Sequence, residues 1–219
     1  MSVLAAVGVS ADGFREILGL AEGAKEDKES WKQFLRYLKN RGLTGVKLFI
    51  SDKSLGLVES LADFYPEAKW QRCIVHYYRN VFTQVPAGKV KEVAGMLKAI
   101  HAQEDSVEAL KKSQIVIEKL KKMKLKKAAD YISESIKETL SYYDFPQEHW
   151  RKIRTNNPME RVLKEVRRRT KVIGAFPDGQ SAMMLVGARL RHITTTKWGT
   201  VKYMNMDHLE ERDIEENLA

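Results

Sequence analysis

Cysteine is almost absent: Cys73 is the only one in 219 residues. A lone thiol excludes an internal disulfide framework, and the expected setting is a reducing cytosol. Long apolar runs are missing as well. No stretch approaches the roughly 20 residues needed to span a bilayer. The apolar start, Met1 to Val9, has neither a basic leader nor a cleavage signature, so it reads as a strand. The common local motifs of catalysis are also lacking, with no phosphate-cradling glycine loop, no nucleophile elbow and no H-E-x-x-H pair. Internal repeats and low-complexity linkers are absent too. The expectation is a soluble, cytoplasmic chain with no membrane partner.

What is present is positive charge. The formal net charge is +9 and the isoelectric point is near 9.5. That balance favours a polyanionic partner, nucleic acid before an anionic membrane, with a merely solubilising surface as the alternative. The length suffices for one large domain or two small ones with a buried core.

Along the chain, "VLAAVGVS-ADG-FREILGLAEG" reads as two strands joined at Asp12-Gly13, a strong hairpin signal. "KESWKQFLRYLKNRG" sets Trp31, Phe34, Leu35 and Leu38 at helical spacing and stops at Gly42. "GVKLFISD" predicts a buried strand, "LGLVESLADFY" a helix ending before Pro66, and "KWQRCIV" a further strand running into "HYYRNVF". The first 80 residues therefore predict β-β-α-β-α-β, an α/β domain built on a sheet. From Pro86 to Tyr143 strand signals vanish. Helical periodicity occupies "VKEVAGMLKAIHAQ" and then Val107 to Leu140, where the lysine run "KKMKLKK" reads as a solvated helix face. Two more helices follow, one from Pro158 and one through "GQSAMMLVGARLRHI", and then an acidic tail after Asp207.

Three places carry candidate chemistry. Asp52 closes the strand "KLFISD", and ligands of open α/β sheets gather at carboxyl strand ends. An N-cap of the next helix explains the same residue, and locally is the simpler reading. In "NPMERVLKEVRRRTKVI", Met159, Val162, Leu163, Val166, Thr170 and Ile173 share one helical arc of about 100°, a core face. Glu160 lies opposite, flanked by Lys164, Arg167 and Lys171. It reads as the N3 acid of a capping box after Asn157 and Pro158, as half of a plain surface pair with Lys164, or as a metal-binding acid among phosphate-binding cations. Cys73 and His76 form a C-x-x-H pair, too few ligands for a closed zinc site, so a packing role is the better reading.

Taken together, "RGLTGVKLFISDKSLGL", "FYPEAKWQRCIVHYYRN", "FPQEHWRKIRTNNPMERVLKEVRRRTKVIGAFP" and "SAMMLVGARLRHI…W" resemble the catalytic region of Mutator-type bacterial insertion-sequence transposases. The likeness covers essentially the whole chain, in order. It implies an RNase H-like fold interrupted by an all-helical insertion. That would give a first core part over 1–84, an insertion over 85–145, core-completing helices over 146–200 and a tail over 201–219. It also implies a D-D-E triad binding Mg²⁺ or Mn²⁺, with the second acid on Asp52 and the glutamate on Glu160. Cys73 and His76 fall on the family's C/D-x-x-H element beside that site. Arg161, Lys164, Arg167, Arg168 and Lys171 would hold phosphates of double-stranded DNA, at element ends and target, with a second copy of the chain as a further candidate partner.

The chain departs from the pattern in places. The family's first aspartate lies on a strand upstream of this hairpin, and Asp12, in a turn, does not replace it. The family's N-terminal DNA-binding region is not represented. Ser54 stands where histidine is common and Leu163 where asparagine is common. The expectation is a truncated or decayed catalytic-region fragment that keeps its fold and DNA affinity with little transposition. The alternative is a non-catalytic DNA-binding remnant or regulator of an intact transposase.

Overall fold

In a computed structural model the described residues are 2–23, 27–173, 176–209 and 211. They form a mixed α/β protein dominated by helix, divided into two compact units. One comprises residues 1–47, 53–68 and 156–219, the other 48–52 and 69–155. The order is β1 (Ser2–Val9), β2 (Arg15–Gly23), α1 (Lys28–Asn40), β3 (Leu48–Ser51), α2 (Leu55–Phe64), β4 (Lys69–Arg72) and α3 (Ile74–Phe82). Then come α4 (Val90–Ile100), α5 (Ser106–Lys122), α6 (Lys126–Ser135), α7 (Gln147–Ile153), α8 (Asn157–Ile173), α9 (Gly179–Thr194) and α10 (Lys197–Thr200). Among the described residues no helix is long and apolar enough to cross a membrane.

The first unit is built around the β1–β2 hairpin. Its turn is a three-residue loop in which Gly13 N donates to Ser10 O at 2.9 Å and Ser10 N to Phe14 O at 2.8 Å. Gly13 has φ +86°, left-handed space that glycine enters without steric cost. Alternate strand residues serve two cores. Leu4, Ala6, Leu18 and Ala21 pack with Phe34 and Leu38 of α1. Val3, Ile17 and Leu20 pack with Val162 and Val166 of α8 and Val186, Leu190 and Ile193 of α9. The register shifts between Ala6 and Val7 because Leu18 is an extra residue on β2. α1 opens with Asp27 accepting from Ser30 N at 2.9 Å and closes at Gly42, φ +94°. There Leu43 N reaches Leu38 O at 3.1 Å, a Schellman cap.

The second unit carries a short parallel pair, β3 beside β4, and helices α3 to α7. Gln71, fully buried, accepts from Tyr142 N at 2.9 Å and donates to Thr139 O at 2.9 Å, tying β4 to the 136–144 turns. Arg72, 2 % exposed, pairs with Glu138 at 2.9 Å.

Three sequence expectations change. The strands do not form one ladder: the described residues contain two two-stranded sheets, β1–β2 and β3–β4. The helix expected from Val107 to Leu140 is broken at Met123–Leu125, where Lys124 takes φ +61° and Leu125 N bonds Leu120 O at 2.9 Å. The lysine run thus wraps around a helix joint instead of lining one face. At the other end, Tyr203 N and Met204 N donate to Gly13 O at 2.7 and 3.2 Å, so this part of the expected tail is packed onto the hairpin. Most of the acidic stretch after it lies outside the described residues.

Candidate functional site

Helix α8 organises the basic face. Glu160 N donates to Asn156 O at 3.1 Å, closing the first helical turn. The helix begins at Asn157, the expected cap itself and one residue before the expected first helical residue Pro158, so Glu160 stands one place beyond the N3 position of a capping box. Val162 and Val166 are buried against α9, and Met159, Leu163 and Thr170 are half-buried. Ile173, expected in the core, is 49 % exposed beside Val172 at 84 %, so the apolar stripe ends a turn early.

On the opposite side Arg161, Lys164, Arg167 and Lys171 are exposed around the half-buried Glu160. An open concavity of about 360 Å³ is lined by Asn157, Glu160, Arg161, Lys164 and Arg167. Arg168 is held differently. Its Nε and a terminal nitrogen donate to the two oxygens of Glu165 at 3.0 and 2.8 Å. Arg189 of α9 bonds the same carboxylate, and Arg169 approaches it at 3.8 Å. The Arg168 hydrogen bonds, and then those of Arg189, pull the Glu165 carboxyl down to about 2. The i+3 spacing of this pair was visible in the sequence, whereas Arg189 was not, because only the packing of α9 brings it near.

Asp52 belongs to the second unit and Glu160 to the first. Within the second unit, Ser51 pairs with Arg72 in the parallel register, and Cys73 N donates to Ser51 O at 2.8 Å. Asp52 and Cys73 therefore leave the same carboxyl edge of the β3–β4 pair. The N-cap position of α2 is Ser54, so Asp52 does not occupy it. Cys73 is fully buried at the start of α3, one turn before half-buried His76. Among the described residues no three His, Cys, Asp or Glu side chains cluster closely enough to hold a metal ion.

The family described as "Transposase, Mutator family" matches residues 1–199. The chain belongs to the Mutator family of transposases. Among its relatives, the transposase for insertion sequence element ISRM5 of Rhizobium meliloti is 36% identical over 211 residues, covering 96% of this chain and 52% of that protein. The transposase for IS1081 of Mycobacterium tuberculosis is 41% identical over 85% of this chain and 45% of its own length. That for IS256 in transposon Tn4001 of Staphylococcus aureus is 35% identical over 92% and 52%. This Mutator-family chain thus spans about half the length of the curated relatives it matches.

Proposed function

We propose that the chain supplies Asp52 and Glu160 to a DDE-type transposition site, on an RNase H-like core interrupted by helices, acting on double-stranded DNA. The observation that carries the reading is the setting of Glu160, an acid on the outward face of α8 among exposed Arg161, Lys164, Arg167 and Lys171. A purely solvated helix mixes its signs, whereas this face keeps one sign apart from the single acid. The position of Asp52 at a carboxyl strand edge, off the α2 cap, supports the same reading.

Two carboxylates suit Mg²⁺ or Mn²⁺, since Mg²⁺ binds through one or two carboxylates completed by waters and substrate phosphates. An ion held by Asp52 and Glu160 would supply neutralisation of phosphate charge and activation of the attacking oxygen. The chain's own residues do the rest. Asp52 and Glu160 supply oxygen ligands, the four exposed cations hold flanking phosphates, and the Val162–Val166 stripe fixes α8 against α9 and the hairpin. Cutting and rejoining an insertion sequence belongs to this proposal for the complete protein. The chain by itself is expected to bind DNA and to nick it weakly.

Nicking of supercoiled plasmid with and without Mg²⁺ tests it. Glu160→Gln and Asp52→Asn should each abolish Mg²⁺-dependent nicking while leaving duplex binding intact. Nicking that persists in both variants ends the reading. Binding without nicking in the parent protein assigns the chain to the alternative, a DNA-binding module.

A further inference from the structure

Outside the α8 face, the first unit holds a cation whose surroundings ask for an anion. Arg15, the first residue of β2, lies with its guanidinium carbon 5.0 Å from the Trp198 ring centre and 4.6 Å from that of Tyr203. A guanidinium has five N–H donors. Here one terminal nitrogen makes a long 3.5 Å contact to Lys197 O, and Nε is buried without a hydrogen-bond acceptor. Trp198 Nε1, at the same place, is also buried without one. Among the described residues no carboxylate pairs with Arg15 or Arg161. Burial lowers the Arg15 pKa from its ordinary value, Tyr203 opposes it, and the nearby Arg161 adds a smaller push in the same direction as burial. Unpaired charge withdrawn from water is costly, and so are buried donors without acceptors.

We propose that Arg15, stacked between Trp198 and Tyr203 and joined by Arg161, binds one backbone phosphate of duplex DNA. The inference rests on the reading of α8 as a DNA face, which it extends onto the hairpin. Three chain segments build the site: the start of β2, the first half of α8, and residues 197–204 held to the turn through Gly13 O. The aromatic rings fix the fork while leaving its outer edge to the ligand, and Arg161 adds a second charge from a different element. A phosphodiester supplies the missing counter-charge and acceptors.

The test is salt-dependent binding of a 20-base-pair duplex, without divalent metal, so that it is independent of Asp52 and Glu160. Arg15→Met keeps the stem between the rings and removes the fork. The slope of log K against log salt should flatten by about 0.9, the contribution of one phosphate, equally on unrelated sequences. Arg15→Lys should restore most of the slope. A parent-like slope in Arg15→Met, even with lowered thermal stability, means that Arg15 only staples residues 197–204, and overturns the site. A parent protein with no salt-dependent binding overturns the DNA reading as a whole. Should Arg15→Met not fold, Trp198 reports instead. Added duplex should change tryptophan emission in the parent and not in Trp198→Phe, and a response that survives the substitution overturns the proposal. A parallel titration with inorganic phosphate separates the sources. A Trp198-dependent response to phosphate alone, with none to duplex, makes this a free-anion site and overturns its assignment to DNA.

Discussion

Arg167 and Arg168 are neighbours in sequence, yet their side chains have different surroundings, and under the proposed reading their substitution by alanine should have different effects. Each phosphate neutralised adds about −0.9 to the slope of log K against log salt, so the four exposed cations of α8 that surround Glu160 together give about −3.6, leaving aside Arg168 and Arg169 beside Glu165. Between 50 and 200 mM salt that slope loses affinity by a factor of roughly 150. Arg167 faces the concavity beside Glu160. Its removal should reduce the helix contribution to about −2.7 and the salt-induced loss to roughly 40-fold. Arg168 is committed to Glu165 through two hydrogen bonds at 3.0 and 2.8 Å. Its removal should leave the slope nearly unchanged, whereas Glu165→Gln, which frees it, should steepen the slope by up to about 0.9. Fluorescence anisotropy with a labelled duplex at several salt concentrations reads all three variants. Equal flattening by Arg167→Ala and Arg168→Ala would refute the division of the face into free and committed cations.

Further predictions concern the stability of each unit. Lys124→Gly should stabilise the protein by about 1 kcal/mol in urea unfolding, because φ +61° strains an L-residue and suits glycine. Gly13→Ala should cost more than about 1 kcal/mol, since φ +86° is unfavourable and the new methyl group would meet Met204 O. Its thermal transition should fall, and the environment of Trp198 should change with it. Burial lowers the His101 pKa to about 4, with Nε2 2.8 Å from Thr139 Oγ1, Nδ1 3.0 Å from the Tyr78 hydroxyl and Arg154 nearby. The unfolded chain binds this proton near 6.5. The neutral ring's contribution is therefore complete above that pH and is lost as pH falls towards 4, a slope in urea stability that His101→Gln should reduce.

Much of the fold was legible where the signal is local. Asp12-Gly13, the Trp31–Leu38 spacing and Gly42 specify their turn, helix and cap within a few residues, and all three form as read. The joint at Lys124 was not legible, because a lysine occupies the left-handed position where glycine would have marked a break. Strand partnership was not legible either. Four short apolar runs do not state which edges pair, and the described strands form two ladders instead of one. At the candidate site, periodicity placed Glu160 opposite Val162 and Val166, and the structure keeps that separation. The local cap readings of Asp52 and Glu160 depended on a helix start misjudged by one or two residues. Arg189 beside Glu165, and Arg15 between Trp198 and Tyr203, depend on contacts across 24 to 188 positions, which no local pattern encodes.

The central claim is that Glu160 and Asp52 are metal-binding acids. Mn²⁺ binding in the presence of a short duplex, followed by paramagnetic broadening, tests it without requiring catalysis. Side-chain and amide signals around both residues should broaden in the parent protein at low Mn²⁺, and Glu160→Gln or Asp52→Asn should abolish the broadening at both places. Broadening that is absent from the parent, or unchanged in both variants, would contradict the account.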